Sequence, residues 1–100
     1  MARLEIAGRA DADLHRLFEF LADQDAEAAL AVKDLLFEGL EILVRHPLIG
    51  RPAEEDMREL VISRGKSGYV ALYQYLEAED VVLVLAIRHQ REAGFRGGND

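Results

Sequence analysis

The chain contains no cysteine, which excludes disulfides and thiolate chemistry and fits a reducing compartment. It also lacks a long hydrophobic run. The longest apolar stretch, Val81 to Ile87, falls far short of the roughly 20 residues a bilayer-spanning helix needs. Met1-Ala2-Arg3 leads into alternating residues rather than the apolar region of a signal peptide, so a cytoplasmic protein is expected. Positive charge is not in excess: the formal net charge is -7, and a protein that neutralises many phosphates needs a broad basic face. No sequence-specific contact with nucleic acid is therefore expected. A glycine-rich phosphate loop, a nucleophile elbow and a zinc signature are all missing, and Ser63 and Ser67 have no neighbours that would activate a hydroxyl. His15, His46 and His89 are too scattered for a metal site, so neither metal nor cofactor is expected.

What is present describes one soluble domain. A chain of 100 residues buries about 60 to 70% of its unfolded surface, enough for one core. Half of the residues are hydrophobic and 31% are charged, as in ordinary globular proteins. The negative charge is concentrated before residue 58, where 13 Asp/Glu face 6 Lys/Arg; the remainder is balanced at 6 and 6. That excess serves solubility or attracts a basic partner protein.

Arg3 to Ala7 alternates polar and apolar residues, predicting a short strand with Leu4 and Ile6 inward. Leu14, Leu17, Phe18 and Leu21 then recur at helical spacing behind a possible cap at Asp11 or Asp13. Asp23-Gln24-Asp25 interrupts, and Ala29, Val32, Leu36, Leu40 and Leu43 predict a second, longer helix antiparallel to the first. Gly39 inside that helix costs up to about 1 kcal/mol against Ala, which points to close approach by another backbone or to simple tolerance. Arg45-His46-Pro47 ends it. Leu48 to Pro52 reads as a loop with Leu48 and Ile49 tucked onto the core, followed by the solvated acidic connector 53–56.

Three β-rich runs follow, from Arg58, Gly68 and Val81, and predict an antiparallel meander. Leu60 and Ile62 share one face of the first run. In the second, Tyr69, Ala71, Tyr73 and Tyr75 form a face expected to be half wet, since each hydroxyl needs water or a partner. The third is apolar on both faces, as in a central strand or one covered by a partner. It delivers Arg88, His89 and Arg91 to its exit, and Arg58, Arg64 and Lys66 belong to or follow the first run. Such cations can converge on an anionic group or pair with nearby carboxylates. The expected fold is α+β, ordered strand, helical hairpin, three-stranded meander, over residues 1–95, with 96–100 a frayed tail.

That order, together with Arg58-Glu59-Leu60, Gly68-Tyr69 followed by Tyr73, and the ending Ile87-Arg88-His89-Gln90-Arg91-Glu92-Ala93-Gly94-Phe95, resembles the RelE/ParE toxins of bacterial type II toxin-antitoxin modules. His46-Pro47 and Gly50-Arg51-Pro52 fit as well. RelE-like members cut messenger RNA in the ribosomal A site with lysines on the first meander strand, an arginine after the Gly-Tyr pair, and basic and tyrosine residues near the C-terminal end, of which Arg88, His89 and Arg91 would be the surviving basic ones here. An ungapped comparison from Met57 places Glu59 and Val61 at the lysines, Val70 at the arginine and Phe95 at the tyrosine, so most of that chemistry is missing.

The resemblance thus implies a ParE-like toxin that poisons DNA gyrase by binding, without catalytic residues, and is neutralised by a cognate antitoxin. A RelE-like endoribonuclease and an inactive antitoxin-binding member are the alternatives. Arg58, Tyr69, Tyr73, Arg88, His89, Arg91 and Phe95 are candidates for the target or partner surface. Leu17, Phe18 and Leu21 are candidates for the antitoxin groove, with an internal core role as the competing assignment.

Overall fold

The computed structural model of the chain describes residues 1–64 and 67–91. Lys66, Phe95 and the expected tail 96–100 lie outside them, as does the side chain of Arg64.

Strand β1 (Arg3–Ile6) leads into helix α1 (Gly8–Gln24) and helix α2 (Ala26–Arg45). Four more strands follow: β2 (Arg51–Pro52), β3 (Met57–Arg64), β4 (Ser67–Leu76) and β5 (Val81–His89). The helices are separated by one residue. Asp25 closes α1 with its backbone N–H and opens α2 with its carboxylate, which accepts from the amides of Glu27 (3.0 Å) and Ala28 (3.2 Å). Helix α1 begins earlier than its aspartates foretell. Its N-cap is Ala7, without a side-chain cap, and Asp11 instead supplies negative charge to the first turn.

The sheet holds five strands in the order β1-β5-β4-β3-β2. The predicted meander is its antiparallel centre, with Arg58 opposite Tyr73 and Leu72 opposite Ala86. Strand β1 pairs parallel to β5, with Leu4 opposite Val82 and Ile6 opposite Val84. Strand β2 corrects the loop expected at Leu48 to Pro52. Arg51 pairs with Glu59 and Pro52 with Arg58, at an edge where a proline's missing N–H leaves no ladder bond unmade.

Both helices cover one face of the sheet. Leu36, Leu40 and Leu43 of α2 are fully buried, each contributing about 1.5–3 kcal/mol. They meet Ile62, Tyr69, Ala71, Tyr73, Val82, Val84 and Ile87 in one core with Leu14 and Leu17. The tyrosine face is therefore the core face, with Tyr69 and Tyr73 2% and 0% exposed, and the half-wet character expected of it holds for Tyr75, which is partly buried with its hydroxyl on Asp80 at the surface. Close approach explains Gly39, although the neighbour is a side chain rather than a backbone. A Cβ there would stand 2.7 Å from Ile62 Cδ1.

Strand β5 owes part of its two-sided apolarity to a bulge. Leu72 opposes Ala86 and Tyr73 opposes Val84, so Leu85 is the extra residue. Alternation resets there: Val82 and Val84 face the core before it, and Ile87 after it.

Candidate functional site

The bulge decides where the exit of β5 points, and a helix residue holds it. Strand β1 ends opposite Val84, so beyond that point β5 has no strand on that side. The Asp13 carboxylate takes the place of a strand acceptor and receives the Ile87 N–H at 2.9 Å. Asp13 is 7% exposed and lies 3.8 Å from the Arg16 guanidinium. A buried carboxylate needs such partners to offset its lost hydration. This contact with Ile87 replaces the capping role that the sequence allows for Asp11 or Asp13. The signal that marks Asp13 in sequence is its place among Ala10, Leu14 and Leu17, where a carboxylate interrupts an apolar stripe.

Past Ile87 the basic exit splits across the sheet. Arg88 pairs with Val70, which pairs with Val61, giving a row of one cation and two valines on the face away from the helices. Its guanidinium folds along the exit and donates to the carbonyls of His89 (3.2 Å) and Gln90 (3.4 Å). His89 faces the other way. Its ring packs edge-on against Tyr69, with centroids 5.1 Å apart, and its Nδ1 accepts the Arg91 N–H at 3.0 Å. Arg91 itself is exposed.

Arg58 and Tyr73 stand apart from that group. Tyr73 lies four residues along β4 from Tyr69, about 13 Å away. The Tyr73 hydroxyl donates to the Pro47 carbonyl at 2.7 Å and accepts the Gly50 N–H at 2.9 Å. Arg58 donates to the Gly50 carbonyl at 2.8 Å and the Leu48 carbonyl at 3.2 Å. Both side chains clamp the α2–β2 loop. The loop's own Leu48 and Ile49, expected against the core, are 59% and 54% exposed instead, because the clamp takes the backbone inward and turns these side chains out. Of the antitoxin-groove candidates, Leu17 is buried in the core, Phe18 packs against it and Leu21 is half-buried.

The tyrosines share one electrostatic tendency. Burial raises the pKa of Tyr69. Burial also raises that of Tyr73, opposed by the Gly50 N–H and the Arg58 charge. Tyr75 is raised chiefly by the hydrogen bond it donates to Asp80, at 2.6 Å. Among the described residues no group of three or more His, Asp or Glu is placed to hold a metal ion, and no helix is long and apolar enough to cross a membrane.

The chain matches the family model of the ParE toxin of the type II toxin-antitoxin system parDE over residues 4–94. It is 37% identical to Toxin RelE3 of Caulobacter vibrioides over 92 residues, covering 92% of this chain and 98% of that protein. Toxin RelE1 of the same organism is 35% identical over 71 residues, covering 71% and 76% respectively. The fold matches the chromosomal ParDE system of P. aeruginosa with a TM-score of 0.71 at 24% identity, covering 89% of this chain and 96% of that one. An E. coli RelE variant in complex with an antitoxin RelBc peptide matches with a TM-score of 0.65 at 21% identity, covering 92% and 85%. The chain therefore belongs to the ParE toxins of type II toxin-antitoxin systems, within the RelE/ParE superfamily.

Proposed function

We propose that this toxin acts by binding DNA gyrase and is held in check by a cognate antitoxin. The observation that carries this is the row Val61, Val70, Arg88 on the face of the sheet away from the helices, where Val61 is exposed and Val70 is buried. Cleaving RNA there requires a proton donor or acceptor and charge to stabilise the phosphate. Arg88 has two valines beside it instead, with Glu59 and Leu72 the next pair along the same face. His89 is turned to the other face, and its Nδ1 already accepts a backbone N–H. Such a surface is suited to recognition rather than proton transfer.

An antitoxin partner is supported by the complexes among the fold neighbours. The helical hairpin offers apolar purchase for one, since Phe20 and Leu30 are each 63% exposed. The binding reading predicts that the purified chain inhibits supercoiling by gyrase or accumulates cleaved DNA. Unaffected gyrase at high toxin concentration would count heavily against it.

The names of the curated relatives, both RelE toxins, favour a second reading as a ribosome-dependent endoribonuclease. Primer extension on a translated message would then reveal new cuts upon adding the chain. Their absence removes that reading. A chain that causes no growth arrest when induced alone would be left with antitoxin binding as its function.

A further inference from the structure

The α2–β2 loop has the build of a presentation device. Four hydrogen bonds with the side chains of Tyr73 and Arg58 hold its backbone, three donated to its carbonyls and one by the Gly50 N–H, at 2.7 to 3.2 Å. Gly50 is pressed so closely that a Cβ would stand 2.6 Å from the Tyr73 hydroxyl and 2.8 Å from the Glu59 carbonyl. Against this fixed backbone, Leu48 and Ile49 project more than half exposed. Two large apolar side chains on a rigid loop can be covered with little loss of conformational entropy, which is how preorganised contacts gain affinity.

Leu48 also borders a groove of about 510 Å³ that Met57 and Leu76 line as well. The exposed carboxylates of Glu55, Asp56, Glu77 and Glu79 surround it. Arg58 is the cation among its lining residues, and it is engaged with the Leu48 and Gly50 carbonyls. The groove thus combines apolar anchoring points with a negative rim, the arrangement of a protein interface whose centre is apolar and whose border is charged. It lies at the far end of the sheet from Arg88 and His89. Leu76 is seven residues along β4 from Tyr69, about 23 Å away.

We propose that this groove, with Leu48 at its border and Ile49 next to it on the same loop, docks a protein segment in which an apolar side chain is flanked by lysine or arginine. The negative rim repels phosphates and so disfavours RNA or DNA as occupant. Leu48 and Ile49 require more than a bare cation. The proposal does not depend on gyrase being the target.

The test uses the full chain and a labelled peptide of about a dozen residues, carrying a central Leu-Leu pair with arginines on both sides. Its controls are the same peptide with serine for leucine, the same with glutamate for arginine, and a single-stranded RNA of equal length. Fluorescence anisotropy at roughly physiological salt is expected to show saturable binding of the first peptide, about tenfold or more tighter than any control. Leu48→Ser with Ile49→Ser, and separately Glu77→Gln with Glu79→Gln, should each weaken it about tenfold without lowering the thermal midpoint. The proposal is overturned if no peptide binds, if the serine peptide binds equally well, if RNA binds more tightly, or if both double variants keep wild-type affinity.

Discussion

The Asp13 carboxylate accepts the Ile87 amide at 2.9 Å across 74 positions of sequence, tying the middle of α1 to the bulged strand that carries Arg88 and His89. Removing the acceptor leaves a buried N–H unsatisfied, at a cost of about 1–3 kcal/mol. Asp13→Ala is therefore expected to lower unfolding stability by about that amount and to speed hydrogen exchange at the Ile87 amide. Asp13→Asn, which keeps an acceptor oxygen, should lose less. Denaturant unfolding together with exchange at this one amide checks both.

Gly39 and Ile62 make a steric prediction with its own control. Three atoms of Ile62 lie within 3.1 Å of where a Cβ on Gly39 would stand, and a β-branched side chain has few rotamers into which it can retreat. Gly39→Ala gains about 1 kcal/mol of helix propensity but overpacks the core, which costs about 1–3 kcal/mol. A net loss of stability is expected. Adding Ile62→Val should recover part of it, and a double-mutant cycle measures the coupling.

Tyr73→Phe keeps the ring in the core and deletes the hydroxyl that bonds Pro47 and Gly50. Stability should fall by about 1–3 kcal/mol, because two backbone groups lose their partner. The amide of Gly50 should exchange faster, while those of Tyr69 and Ile87, at the other end of the sheet, stay protected.

Alkaline pH provides a further check. Tyr69, Tyr73 and Tyr75 all have pKa values raised above the 10.0 of an ordinary phenol. A raised folded-state value means that the native chain holds the phenolic proton more tightly than the unfolded chain does. The associated stability is complete below about pH 10 and is lost as pH climbs through the folded values. Denaturant midpoints should be flat on this account up to that point and fall beyond it. Phenolate absorbance should rise at higher pH in the folded chain than in denaturant, and Tyr73→Phe should lose part of the difference.

These residues also mark what could be read from sequence. The helices and three long strands were legible because Leu36, Leu40 and Leu43, or Leu60 and Ile62, repeat with the period of the element that buries them. Strand β2 was not, since Arg51 and Pro52 are too few to alternate. The inward turn of Tyr69 and Tyr73 was hidden for another reason. The Tyr73 hydroxyl is satisfied by backbone groups 23 and 26 positions away, and no local pattern announces them. The bulge at Leu85 lies inside a run that is apolar throughout, so its reset of alternation leaves no trace in composition. At the candidate site, the cations of β5 were legible as residues and alternation alone puts Arg88 and His89 on opposite faces, but which of them turns to the core side was set by that bulge.

The most direct measurement is the binding of the purified toxin to purified DNA gyrase, paired with a translation reaction run at the same toxin concentration. A saturable complex that inhibits supercoiling, with the message left uncut, is the predicted result. Absence of any complex with gyrase, together with new cuts in the translated message, would contradict it.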